Sequence, residues 1–331
     1  MISLGLLIIA AGAFCQSSSY VPIKKIRSWH WESFWLVQGI FAWLVFPLLG
    51  AQLAVPADES LMNLIALHRA EAVKTIICGV LWGVGGLTFG LSMRYLGVAL
   101  GQSIALGTCA ALGTVLGPLF MGDASSLTWR VLAGVGATLA GIAVIGVAGS
   151  MRQASSGEAE KQTEFKFGKG LLVALICGLM SACFNIGLDM GRDICFDGSD
   201  PMFRSLPATM LVTLGGFATN AVYCLWQNRR NRSFSDYGQL SVWPANLILC
   251  ALAGILWYSQ FFGLSLGKGF LQNSPVLLTF SWCILMALNV IFSNLWGVVL
   301  KEWQGTTRGT KAMLAVGLII LIVSSFLPQI L

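Results

Sequence analysis

This chain of 331 residues has few charged side chains and few of the residues that usually perform catalysis. Charged residues make up only 10% of it, and the two histidines are His30 and His68. The zinc protease pattern HExxH and the phosphate-binding Walker A loop are missing. The sequence therefore predicts neither an enzyme nor an ATP-driven pump, and we expect no cofactor and no metal.

The nine cysteines form no CxxC pair and no cluster with histidine, which excludes the usual zinc-binding spacing. Their odd number and their position in apolar stretches also argue against a disulfide framework. We interpret them as small packing residues.

Long apolar stretches, in contrast, are abundant, since 56% of the residues are hydrophobic. About 20 consecutive apolar residues span a bilayer as a helix, which satisfies all of its backbone polar groups internally. The alternation typical of barrel strands does not occur. We predict an all-α polytopic membrane protein with ten transmembrane helices at 2–20, 34–55, 72–92, 97–120, 128–149, 170–190, 206–226, 243–266, 275–299 and 312–331.

The basic residues predict how these helices cross the membrane. The first span has no basic residue before it, so we interpret it as a retained helix and not as a signal peptide. Of the 20 Lys and Arg residues, 14 lie in odd-numbered loops. The other six are Arg69, Lys74, Arg130, Arg192, Arg204 and Lys268. The odd loops should therefore be cytoplasmic and both termini periplasmic, in a bacterial inner membrane. The net charge of +6 reflects this bias, and no nucleic-acid partner is expected.

One polar stretch rich in Ser, Lys and Glu interrupts the apolar pattern and indicates a linker. It has five predicted spans on each side. The predicted organisation is a first five-helix repeat at 1–150, a cytoplasmic linker at 151–169 and a second five-helix repeat at 170–331.

A recurring motif supports two related halves. Gly79 to Trp82 in span three precedes Phe89 to Ser92, and the similar Gly254 to Trp257 in span eight precedes Phe262 to Ser265. Because five is odd, the second half must enter the membrane in the opposite orientation. The sequence therefore predicts two five-helix inverted repeats, an architecture of secondary transporters that bind their solute near the bilayer midplane.

Two carboxylates near the apolar core are candidates for proton coupling. Asp189 is the only acid within a predicted span, and it shares a helix face with Asn185, four residues earlier. Glu32 lies at the mouth of span two, close to Lys24 and Lys25. A charge at the bilayer centre costs about 2.5–3.5 kcal/mol, so such residues often have a function. The alternatives are that Asp189 faces the headgroups at a helix end and that Glu32 is an interfacial residue at a helix start.

Neutral polar and aromatic side chains in the spans could bind a solute. A buried polar group without a partner costs a few kcal/mol, so each must meet another helix, water or a ligand. Amide groups around aromatic faces suit a small, polar, uncharged molecule such as a sugar. The candidates are Gln16, Tyr20, Trp82, Gln102, Asn185, Trp257, Tyr258, Gln260, Trp282 and Asn289. Hydrogen bonds between helices and aromatic residues at the membrane interfaces are the alternatives.

Four motifs occur in order along nearly the whole chain, namely Pro22 to Glu32, Met93 to Gly97, Leu256 to Phe262 and Val299 to Trp303. In this combination the chain resembles the bacterial L-rhamnose–proton symporter family of the drug/metabolite transporter superfamily. The resemblance implies ten helices in two inverted repeats and uptake of a deoxyhexose with a proton by alternating access. The solute would lie between spans one, three, four, six, eight and nine.

Two other functions stay open from the sequence. An exporter or a carrier of another small metabolite in the same superfamily would share the fold. A membrane enzyme or sensor is the alternative from a different class, although no catalytic cluster supports it. The oligomeric state is not predicted.

Overall fold

The computed structural model describes residues 1–155 and 167–331, which form helices and connecting segments without β-strands. Ten of the helices there are long and apolar enough to span a membrane. We number them α1 to α10 in chain order: Ile2–Ile23, Trp31–Gln52, Arg69–Leu96, Val98–Phe120, Trp129–Ser155, Phe167–Met190, Leu206–Asn231, Trp243–Phe270, Pro275–Val299 and Arg308–Ile330. The predicted all-α polytopic fold with ten spans is confirmed.

Most helix ends lie within a few residues of the predicted ones, and two differences flank the predicted linker. The structure continues α5 to Ser155 and begins α6 at Phe167. The extension of α5 is stabilised where the Arg152 guanidinium lies 4.9 Å from the ring centroid of Trp303. Residues 156–166 of the predicted linker lie outside the described residues.

One turn of α2 is irregular. Residues Ile40–Val45 form a π-helix, and the N–H of Phe46 donates to the carbonyl of Phe41, five residues earlier. Pro47 explains this geometry because it has no N–H for the Trp43 carbonyl, and its ring would clash with that carbonyl in a regular helix. The wider turn relieves the clash.

The helices form two compact units, and each unit contains helices from both halves of the sequence. The first unit consists of Met1–Gly83 and Met190–Phe270, and the second of Val84–Asp189 and Leu271–Leu331. In the first unit, α1 packs along α8, and α2 packs against α7 and α8. In the second, α5 packs along α10 and also against α4, and α9 contacts α4, α5 and α10. The two units are defined by packing and not by position in the sequence. They therefore do not test the predicted division into two five-helix repeats, which stays a prediction.

Small residues allow the paired helices to approach closely. A Cβ added to Gly12 of α1 would lie 2.6 Å from the Ser259 carbonyl oxygen of α8. In the second unit, the Thr138 hydroxyl of α5 donates to the Ser324 hydroxyl of α10 at 3.0 Å. Close backbone contact and hydrogen bonds between helices replace the hydrophobic effect, which cannot drive helix association within lipid.

Candidate functional site

The first unit brings together the aromatic rings predicted in spans three and eight. The ring centroids of Trp82 and Trp257 are 5.8 Å apart, and both rings contact Phe261. Trp43, in the π-helical turn of α2, meets Trp82 and Trp257 edge-on at 6.0 and 5.6 Å. Trp43 was not among the residues predicted from the sequence. The unit therefore holds a continuous aromatic cluster built from three helices.

Two polar side chains of α8, Tyr258 and Gln260, lie between Trp257 and Phe261 in the sequence. The hydroxyl of Tyr258 is buried against Gly50 of α2 and has no hydrogen-bond partner. The Gln260 side-chain amide donates a hydrogen bond of 3.2 Å to the Trp257 carbonyl. A Cβ added to Gly12 of α1 would lie 3.2 Å from the Cα of Gln260, so Gln260 lies against α1. The predicted residues of α8 therefore face both α2 and α1.

The two predicted residues of α1 differ in exposure. Gln16 is partly buried and accepts a hydrogen bond of 3.4 Å from the Ser17 hydroxyl. Tyr20 is 51% exposed, which distinguishes it from the buried aromatic cluster. Of the two, Gln16 is the better placed to contact a buried solute.

In the second unit, Asn185 and Asp189 of α6 pack against α4. The Asn185 amide donates to the Gly113 carbonyl at 2.8 Å and also contacts Asp189 Oδ2 at 3.4 Å. Its own oxygen is buried without a hydrogen-bond partner. The Asp189 carboxylate occupies the space beside Gly117 where a Cβ would lie. A predicted polar pair is thus held by a glycine-lined stretch of α4.

Trp282 of α9 lies against the same part of α4. Its indole N–H donates to the Cys109 carbonyl at 3.2 Å, and its ring stacks on Phe184 of α6 with centroids 5.8 Å apart. Gln102 of α4 and Asn289 of α9 belong to the same unit and are partly buried. The second unit therefore has its own aromatic and amide groups beside a carboxylate.

Glu32 belongs to a buried network that joins α2 to the end of α7. Its Oε1 accepts from the Ser233 hydroxyl at 2.6 Å and from the Asn231 amide at 2.9 Å. Ser233 also lies 2.9 Å from Asn228 Oδ1, which is 3.0 Å from the Ser33 hydroxyl. Glu32 itself is 4% exposed, so it is buried inside the protein, in the first turn of α2.

A second carboxylate, Asp236, completes this network and was missed in the sequence. It lies in the short 3₁₀ helix Ser233–Gly238 and accepts from the His30 backbone N–H at 2.8 Å and the Ser33 hydroxyl at 2.7 Å. The His30 ring lies 3.0 Å away. Burial opposes ionisation, but these donors outweigh it and hold the pKa of Asp236 below its usual value. Asp236 therefore stays charged and anchors the start of α2.

Only partial signals for Asp236 exist in the sequence. It follows basic residues in the loop after span seven, and it looks like an ordinary exposed loop acid. Loops one and seven are both odd-numbered, which places them on one side of the membrane but does not specify contact. The hydrogen bonds between residues about 200 positions apart appear only in the tertiary structure.

The family model described as L-rhamnose-proton symport protein (RhaT) matches residues 1–329. This chain belongs to that family. Curated relatives named L-rhamnose-proton symporter from Cronobacter sakazakii, Klebsiella pneumoniae and Salmonella paratyphi A are each 30% identical to it. These alignments cover 98% of this chain and 96% of each relative.

Membership of the L-rhamnose-proton symport family makes this chain a multi-pass membrane transporter and not an enzyme. The chemistry of the site agrees with transport. Among the described residues, no group of three or more His, Cys, Asp and Glu side chains could hold a metal ion. The polar groups beside the aromatic rings are mostly amides and hydroxyls, which bind solutes reversibly.

Proposed function

We propose that this chain takes up L-rhamnose, or a related deoxyhexose, together with a proton across a bacterial inner membrane by alternating access. The observation that carries the proposal is the family match along residues 1–329, together with ten membrane-spanning helices. Relatives of the same length are named as L-rhamnose-proton symporters.

We propose that the ten helices are two inverted repeats, and equivalent contacts support this. In the proposed repeat α3 corresponds to α8, and α2 to α7. Gly79 of α3 packs directly on the Val212 backbone of α7, while a Cβ on Gly254 of α8 would lie 2.7 Å from Phe41 Cβ of α2. The equivalent glycines of the repeated motif thus contact equivalent helices.

A second pair of contacts follows the same correspondence, in which α1 matches α6. A Cβ on Gly12 of α1 would lie 3.2 Å from Gln260 Cα of α8. In the other unit, the Cys177 thiol of α6 donates to the Gly85 carbonyl of α3 at 3.2 Å. Exchange of the two repeats converts the first contact into the second.

We propose that the odd-numbered loops are cytoplasmic and that both termini are periplasmic. The excess of Lys and Arg in those loops supports this orientation. Contacts within the first unit agree with alternating spans. Asn246, after loop seven, exchanges two hydrogen bonds with the Arg27 backbone in loop one, and Leu64 of loop two shares an apolar cluster with Ile194 of loop six.

For the solute, we propose that the aromatic and amide groups predicted from the sequence take part in binding. Rings would lie against the C–H faces of the sugar, and amides would hydrogen-bond its hydroxyls. The residues proposed are Gln16, Trp82, Trp257, Tyr258 and Gln260 in the first unit and Gln102, Asn185, Trp282 and Asn289 in the second. Tyr20 stays in the proposal only as a residue at the edge of the site, because it is half exposed.

For the proton, we propose Asp189 first and Glu32 second. Asp189 is partly buried within α6 and contacts the solute candidate Asn185, so its protonation can affect solute binding directly. Glu32 instead accepts hydrogen bonds from Asn231 and Ser233, which are not among the proposed solute residues. A membrane potential of 100 mV supplies about 2.3 kcal/mol per charge, enough for roughly fifty-fold accumulation with one proton.

The test is uptake of radiolabelled L-rhamnose into cells that express this chain, with and without a protonophore. We expect accumulation above the external concentration that the protonophore abolishes. If the protein is present in the membrane but uptake equals that of the empty vector, L-rhamnose is refuted as the solute. Accumulation that survives the protonophore would refute proton coupling.

A further inference from the structure

The π-helical turn of α2 places an indole in an unusual position. Pro47 forces the wider turn at Ile40–Val45, and Trp43 lies within it. Such turns are rare and often occur at functional sites. A Cβ added to Gly39, the residue that follows Gln38, would lie 2.7 Å from the Trp43 ring, so the ring lies against this part of α2.

Trp43 is surrounded by rings on several sides. It meets Trp35, Trp82 and Trp257 edge-on, with centroids 5.5, 6.0 and 5.6 Å away. Only 3% of its surface is exposed. Trp35 differs from it, because the Trp35 indole N–H donates to Asn220 of α7 at 3.0 Å.

Three buried polar groups at this contact of α2 and α8 lack partners. They are the indole N–H of Trp43, the amide oxygen of Gln38 and the hydroxyl of Tyr258. All three residues are at least 95% buried. A buried polar group without a hydrogen bond is unfavourable, so three of them along this contact of α2 and α8 call for an explanation.

We propose that Trp43 and Gln38 form a subsite that binds a hydroxyl group of the transported sugar, an inference that rests on the proposed function. A hydroxyl both donates and accepts, so a single one can satisfy an indole N–H and an amide oxygen. Tyr258 provides a further hydroxyl on the facing helix. The groups are neutral, which suits an uncharged sugar, and the rings of Trp82 and Trp257 provide faces for its C–H groups.

The test compares L-rhamnose binding by the purified full-length protein and two variants, measured by calorimetry. Trp43→Phe keeps an aromatic ring but removes the N–H, and Gln38→Met keeps the side-chain length but removes the amide. We expect each variant to weaken binding by about tenfold, as loss of one hydrogen bond predicts. Trp226→Phe is the matched control, because Trp226 of α7 is 53% exposed, and its binding should equal that of the wild type.

A second readout separates binding from structure. Each variant is first shown to be folded from its unfolding temperature in the absence of L-rhamnose, which Trp43→Phe should lower because the smaller ring leaves a space in the buried cluster. The increase in unfolding temperature caused by L-rhamnose should be smaller in both. If one variant does not fold, the L-rhamnose binding of the other variant decides whether the subsite exists.

Wild-type binding that both folded variants retain would overturn the subsite and leave the proposed function intact. If folded wild-type protein binds no L-rhamnose, L-rhamnose is refuted as the solute, and the subsite proposed for it fails as well. These outcomes are distinguishable because the wild type is measured first.

Discussion

Replacement of Asp236 by asparagine should destabilise the protein by about 2–3 kcal/mol at neutral pH. The carboxylate is buried and accepts from the His30 backbone N–H, the Ser33 hydroxyl and the His30 ring. A hydrogen bond to a charged group contributes about 1.5–3 kcal/mol, roughly twice a neutral one. In the Asp236→Asn variant, one oxygen is replaced by an NH₂ group that faces donors, so at least one of these bonds is lost.

The pH dependence of this effect follows from the direction of the pKa shift. The folded-state pKa of Asp236 lies below its usual value of 3.8, because the hydrogen bonds outweigh the effect of burial. A lowered pKa stabilises the fold above the unfolded-state pKa, and that contribution disappears as the pH falls through the folded-state pKa. The stability difference between wild type and variant should therefore be constant from about pH 8 to 5 and should shrink below about pH 4.

The assay is unfolding of the purified proteins in detergent, followed at several pH values by tryptophan fluorescence. Asp58→Asn is the control, because Asp58 is exposed and its replacement should have little effect. His30→Ala should cost less than about 1 kcal/mol, since it keeps the backbone N–H and loses only a largely exposed ring. Equal stability of Asp236→Asn and wild type at pH 7, or a difference that does not change below pH 4, would refute the reasoning.

Three further predictions concern packing, coupling and orientation. Gly134→Ala should lower the unfolding temperature, since its Cβ would lie 2.8 Å from Cζ of the buried Phe280. Gly136→Ala in the same helix is the control, because its Cβ meets open space and should raise the unfolding temperature or leave it unchanged. An unfolding temperature that falls in Gly136→Ala but not in Gly134→Ala would contradict the packing. Asp189→Asn should abolish uphill L-rhamnose uptake but leave exchange intact, and normal accumulation by both Asp189→Asn and Glu32→Gln would reject both residues as proton carriers. A reporter enzyme active only in the periplasm, fused to the C-terminus, should be active, and a cytoplasm-specific reporter should not.

Much of the fold could be predicted from the sequence because lipid imposes a simple rule. A segment that crosses the bilayer must be a helix of about 20 apolar residues, so composition and length are enough to locate it. The ends were less predictable. The apolar pattern predicts that span two starts at residue 34, but α2 begins at Trp31, and Glu32 finds buried donors at the end of α7 and in the 3₁₀ helix that follows it.

The candidate site was only partly predictable. Trp82 and Trp257 were found through a repeated motif, and the structure places their rings in contact. Trp43 was missed, although Pro47 four residues later is a signal for an irregular turn. Asp236 was missed because a loop acid in a polar segment is usually exposed.

The sequence by itself determined the membrane class, the number of spans and the family, since these depend on hydropathy and on motifs that are local in the chain. Only the tertiary structure decided which polar groups are satisfied. Asp236 acquires its donors from His30 and Ser33, some 200 residues away, whereas the N–H of Trp43 finds none. The physical reason is that a hydrogen bond depends on distances of about 3 Å between atoms that are remote in the chain, and no local pattern encodes such a distance.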